Sequence, residues 1–165
     1  MRQAPGARDG CRAEGLIVAV IRGWEFPEDL YYQVEKHVWV KPLADGTVRI
    51  GLTPVGYELL RHSLVAISVR AGHIGQLVPK GRSIAMVESL KYIGPLAAPV
   101  EGVLLRGNER VQNDPDLAET DPYGEGWIAE MAPVDWERDR QALVTGAAAL
   151  AAYEAWLSRE KIGWE

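Results

Sequence analysis

Val38-Trp39-Val40, Ala44-Asp45-Gly46 and Thr47-Val48-Arg49-Ile50-Gly51-Leu52 read in that order as a strand, a turn and a strand. The Asp-Gly pair is a tight-turn signal, because a short hairpin loop needs the left-handed backbone that glycine adopts freely. The second run alternates polar and apolar residues, as a half-buried strand does. Further β-branched runs lie upstream at 16–21 and downstream at Leu64–Val69 and 83–88, and Gly102-Val103-Leu104-Leu105 closes the set. Short strands at this spacing, punctuated by Gly and Pro, predict a mainly β sandwich or barrel. One helical interruption is expected over 55–61, with Pro54 in its first turn.

Beyond this block the pattern changes. Residues 1–12 mix Arg2, Pro5, Gly6, Arg8, Asp9 and Gly10 without periodicity and are read as a flexible N-terminal arm. Near the other end, Gly146–Glu160 is alanine-rich, and Leu150, Tyr153 and Leu157 share one helical face. Thr145 is read as its N-cap.

Composition narrows the function. The 165 residues are 47% hydrophobic and 25% charged, an ordinary globular balance. Lys plus Arg number 18 against 23 Asp plus Glu, a net charge of −5, and no dense basic run is present. That argues against nucleic-acid binding. The apolar runs are too short to cross a bilayer, so no membrane association is expected. Residues 16–21 lead into Arg22-Gly23-Trp24, not into a small-residue cleavage site, so the expected location is cytoplasmic. The single cysteine, Cys11, excludes an internal disulfide and a thiolate-rich zinc site.

Catalytic patterns are missing. There is no Gly-x-Ser-x-Gly elbow, phosphate loop or dinucleotide-binding glycine turn. His37, His62 and His73 share no ligand-like spacing and are read as surface or packing residues. Trp39, Tyr123 and Trp127 are read as core aromatics. No catalytic residue and no metal site is expected.

One segment stands apart. Val87-Glu88-Ser89-Leu90-Lys91-Tyr92 joins a strand to the extended stretch 93–100, which contains Pro95 and Pro99. The context predicts a hairpin with Lys91 near its tip, where an ε-amine is open to acylation. Spacing alone leaves an ordinary solvated lysine as the simpler account.

A resemblance decides between the two. Phe26-Pro27-Glu28-Asp29-Leu30-Tyr31-Tyr32, Lys36-His37-Val38-Trp39 and the hairpin from Asp45 to Thr53 resemble segments of the glycine cleavage H-protein family. So do Val87-Glu88-Ser89-Leu90-Lys91, Ala98-Pro99-Val100-Glu101-Gly102 and Asp121-Pro122-Tyr123-Gly124-Glu125-Gly126-Trp127, in the same order. The resemblance implies a hybrid barrel-sandwich of two antiparallel sheets with a C-terminal α-helix. Taken with the composition and periodicity, it gives an expected division into the arm at 1–12, a lipoyl-carrier domain at 13–133 and a helical extension at 134–165. It implies lipoate held covalently as N6-lipoyl-lysine on Lys91. Glu88 and Gly102 match positions recognised by the lipoate-attaching enzyme.

The implied role is a non-catalytic, monomeric carrier. It would pass an aminomethyl group and electrons among glycine decarboxylase, aminomethyltransferase and dihydrolipoamide dehydrogenase. The chain departs from the common pattern at Arg61-His62, which replaces a Gly-Asp pair, and at Tyr92-Ile93-Gly94-Pro95-Leu96 after the lysine. These departures resemble a longer subgroup, some of whose members carry sulfur intermediates for a heterodisulfide-reductase-like complex in sulfur oxidation. That is the second reading. An unmodified interaction module with the same fold is the third.

Overall fold

The computed structural model describes residues 18–160. The expected arm at 1–12 and Cys11 lie outside the described residues. The chain begins with an antiparallel ribbon of β1 (Val18–Ile21) and β2 (Trp24–Pro27). Their turn places both Arg22 and Gly23 at positive φ, 53° and 90°, the backbone that a two-residue hairpin loop requires.

β3 (Tyr31–Gln33), β4 (Val38–Pro42) and β5 (Val48–Leu52) then form a meander. The β4–β5 turn is the predicted one. Gly46 sits at φ 89°, and an Asp45 carboxylate oxygen accepts the Thr47 amide at 3.0 Å. α1 (Pro54–Leu59) follows, with Pro54 opening it. Next come β6 (Leu64–Val69), β7 (Leu77–Val78), β8 (Ser83–Ser89), β9 (Ile93–Ala97) and β10 (Gly102–Gly107). Two short helices, α2 (Glu109–Asn113) and α3 (Asp116–Thr120), lead to β11 (Ala129–Pro133). α4 (Trp136–Asp139), β12 (Val144–Thr145) and α5 (Gly146–Glu160) complete the described chain.

The strands form a seven-stranded sheet, ordered β12-β3-β4-β5-β11-β10-β7, and a three-stranded sheet, β6-β8-β9. These are the two antiparallel sheets that the sequence predicts, with the β1–β2 ribbon beside them. The main core lies between them. Val40, Ile50 and Met131 enter from the larger sheet, and Ile67, Ile84 and Val87 from the smaller.

Side chains alternate across a strand, so Trp39 points away from Val38 and Val40. It enters a second core with Phe26, Tyr32, Tyr153 and Leu157. α5 covers this face, burying Ala149, Tyr153, Trp156 and Leu157. The observed stripe therefore keeps two of the three residues expected from periodicity and leaves Leu150 partly buried at its edge. Burying each of the large side chains stabilises the fold by roughly 1.5–3 kcal/mol. Arg22 ties the ribbon to the helix, 3.1 Å from Glu154 and 2.7 Å from Ser158.

Thr145 does not cap α5. It belongs to β12, and its hydroxyl donates to the Leu30 carbonyl at 2.7 Å. Pairing of β12 with β3 draws the side chain toward the sheet and away from the helix start.

Candidate functional site

The β8–β9 ladder ends with Glu88 opposite Ile93. Beyond it the Ser89 amide donates to the Tyr92 carbonyl at 2.7 Å, leaving Leu90 and Lys91 as the tip. The Leu90 amide donates to the Ser63 carbonyl at 3.1 Å, which fastens the tip to the start of β6. Lys91 is exposed, and it has no ion-pair partner among the described residues. Its neighbours are unusually apolar for such a tip: Leu90, Tyr92 and Ile93 are 77%, 56% and 61% exposed.

A cavity of about 730 Å³ opens beside Lys91, between α1, the start of β4 and β9. Leu52, Leu59, Leu60, Val87, Pro95 and Leu96 supply apolar wall. The ionisable groups on it are Glu35, Lys36, His37, Arg61, Lys91 and Tyr92. The Tyr92 ring lies across Gly94, where any Cβ would run into it.

His37 ends a single turn of 3₁₀ helix at φ 60°, and its amide donates to the Val34 carbonyl at 3.1 Å. Its Nδ1 lies 3.3 Å from the Tyr153 hydroxyl, which in turn is 3.1 Å from the Thr53 hydroxyl. The ring meets Trp156 edge-to-face, with centroids 4.5 Å apart. Burial pushes the imidazole down to about 4, so it is uncharged at neutral pH.

Arg61 and His62 follow α1 at φ 60° and 54°, a left-handed pair without glycine. His62 is clamped between two carboxylates. Its Nε2 is 2.8 Å from Glu58, and its Nδ1 bonds Glu119 on α3. The bonds to Glu119 and then Glu58 raise its pKa. His73 instead places Nδ1 3.2 Å from the Ser83 carbonyl. The histidines thus divide into one packing residue, one surface clamp and one loop tie.

The other residues singled out in the sequence separate in space. Glu88 is exposed on β8, three residues before Lys91, between Ala66 and Ile93 in the ladder. Gly102 lies on β10 in the larger sheet, opposite Pro133 and Val78. A Cβ there would collide with the Ala132 carbonyl and come within 2.9 Å of the Pro133 Cα, so packing alone requires glycine. Trp39 and Trp127 are buried in the second core, and Tyr123 packs against Trp39 with centroids 5.9 Å apart. These are core aromatics, as expected. Sequence reading missed the cavity and the place of Lys36, His37 and Arg61 on its wall. The left-handed Arg61-His62 turn was the available signal, visible only as a departure from the family pattern.

The family model described as glycine cleavage H-protein matches residues 30–155. Glycine cleavage system H protein 2 of Aquifex aeolicus is 42% identical over 141 residues, covering 86% of this chain and 86% of that one. The probable glycine cleavage system H protein 2 of Sulfurisphaera tokodaii is 33% identical over 147 residues, covering 88% and 97%. Among solved structures, a glycine cleavage system H protein from Mycobacterium marinum superposes with a TM-score of 0.63 at 32% identity. That match covers 77% of this chain and 98% of the other. With the family model spanning most of the chain and the relatives aligned nearly end to end, this chain belongs to the glycine cleavage H-protein family.

Proposed function

We propose that this chain is a lipoyl carrier of the glycine cleavage system, with lipoate in amide linkage to Lys91 Nζ. On that arm it shuttles an aminomethyl group and electrons among glycine decarboxylase, aminomethyltransferase and dihydrolipoamide dehydrogenase. The observation that carries the reading is the placement of Lys91. Its amine is exposed and unpaired among the described residues, on a pinned hairpin tip at the mouth of an apolar-walled cavity of about 730 Å³. Such a site fits a long, largely apolar arm that swings out to partners and folds back against the protein.

Lipoate supplies a disulfide that takes up electrons or a carried group by exchange at sulfur. The protein's own residues attach, orient and shelter. Acylation removes the charge of Lys91, which would otherwise oppose entry into an apolar space. The Leu52, Leu60 and Leu96 side chains offer that space, and His37 adds no charge to it. Glu88 and Gly102 are read by the attaching enzyme, Glu88 through its exposed carboxylate and Gly102 through the close strand packing it permits. The net charge of −5 suits partners with basic docking patches. The names of the matched relatives lend no support to a heterodisulfide-reductase-like partner.

Reconstitution tests the reading. Lipoylated protein added to glycine decarboxylase is expected to support glycine-dependent exchange of the carboxyl carbon with bicarbonate, and Lys91→Arg is not. Failure of the lipoylated protein, in an assay that responds to another H protein, would overturn the assignment.

A further inference from the structure

The rim of the cavity is electrically lopsided. Arg61 and Lys36 both line it, and neither has an ion-pair partner among the described residues. The acidic groups nearby are engaged elsewhere. Glu35, the acidic lining residue, lies 3.2 Å from Arg159. Glu58 on α1 and Glu119 on α3 turn to His62, and none of the three lines the cavity. His37 on the wall is held neutral by burial, and Lys91 loses its charge on acylation. The charged groups that remain on the lining without an ion-pair partner among the described residues are Lys36 and Arg61. The backbone also holds Arg61 there against its own preference, in the first of two consecutive left-handed non-glycine residues. Strain of that kind persists only where surrounding contacts enforce it. At this turn the Arg61 amide donates to the Glu58 carbonyl at 2.9 Å and the His62 amide to the Tyr57 carbonyl at 3.3 Å.

We infer that Arg61 and Lys36 form an anion-holding rim for the sulfur end of the arm on Lys91, favouring the thiolate form of the reduced arm when it folds into the cavity. The inference rests on the lipoyl reading and deepens it. The step is proton dissociation alone. The S–H bond breaks, its electron pair stays on sulfur, the proton leaves to water, and nothing is oxidised or reduced. Fixed cations near a thiol favour its charged form, and that form is the nucleophile in disulfide exchange. Both cations also face water, so the effect is screened by salt.

The test uses the full lipoylated chain with its arm reduced. Ultraviolet absorbance of the thiolate is titrated against pH beside free dihydrolipoamide, and intact mass on the same samples reports whether the arm is attached. The wild-type thiol is expected to titrate about half a unit below the free compound at low salt. Arg61→Gly and Lys36→Gln each move it back, and the double variant alkylates about threefold more slowly at pH 7. Arg61→Lys keeps the shift, and molar salt removes it. Arg61→Gly suits the left-handed backbone, so loss of the shift there is not loss of the fold. An attached arm that titrates like the free compound, or identically in wild type and double variant, overturns this inference alone. A sample without the arm overturns the carrier reading and this inference together.

Discussion

The imidazole of His37, which lines the cavity that opens beside Lys91, is backed at 3.3 Å by the buried hydroxyl of Tyr153. One residue closes the turn before β4, and the other comes from the middle of the C-terminal helix. The helix is therefore part of what holds the cavity wall in place, and its loss should be felt both in stability and at the site.

Truncation after Ala142 removes β12 and α5 and uncovers Phe26, Trp39 and His37. It is expected to lower the urea midpoint severely. Tyr153→Ala should cost ~3–5 kcal/mol as a large-to-small core change, and Tyr153→Phe ~1 kcal/mol for the hydroxyl. An unchanged midpoint in the truncated chain would mean that α5 contributes no stability.

His37 makes the fold acid-sensitive. Its folded pKa is lowered to about 4 against 6.5 when unfolded, so between those values the unfolded chain binds the extra proton. Its contribution is complete above 6.5 and is lost as pH falls toward 4, amounting to at most about 3 kcal/mol. Unfolding free energies measured from pH 7 to 4 should fall more steeply for wild type than for His37→Gln.

His62 acts in the opposite direction. Its folded pKa is raised, so its contribution is complete below 6.5 and disappears as pH rises through the folded value. The group is largely exposed, which limits the contribution to under about 1 kcal/mol. Melting temperatures of wild type and His62→Gln should differ at pH 6 and converge by pH 9.

Glu88 and Gly102 should respond differently. Gly102→Ala forces a methyl against the Ala132 carbonyl and should destabilise the fold by ~1–3 kcal/mol. Glu88→Gln, on an exposed strand position, should stay within about 0.5 kcal/mol of wild type while slowing lipoate attachment. Equal attachment rates for Glu88→Gln and wild type would remove Glu88 from the recognition surface.

Local chemistry made much of the framework readable. The Asp45-Gly46 turn, Pro54 at the start of α1 and the alternation through Leu52 each act within a few residues. The Lys91 tip was readable for the same reason, as a break between two extended runs. The second core was not. Alternation tells which way Trp39 points, but the helix covering it lies more than a hundred residues away. The cavity is assembled from α1, β4 and β9, and Lys36 and Arg61 have the local sequence appearance of ordinary solvated charges. Thr145 had the right side chain for a cap, but strand pairing with β3 recruited it first.

The central claim is that Lys91 carries lipoate, and intact mass spectrometry tests it most directly. The full chain is incubated with lipoate and a lipoate-attaching enzyme beside Lys91→Arg. The account predicts a single lipoyl increment on wild type and none on the variant. No increment on wild type, under conditions that modify another lipoyl protein, would contradict it, as would an increment that survives in Lys91→Arg.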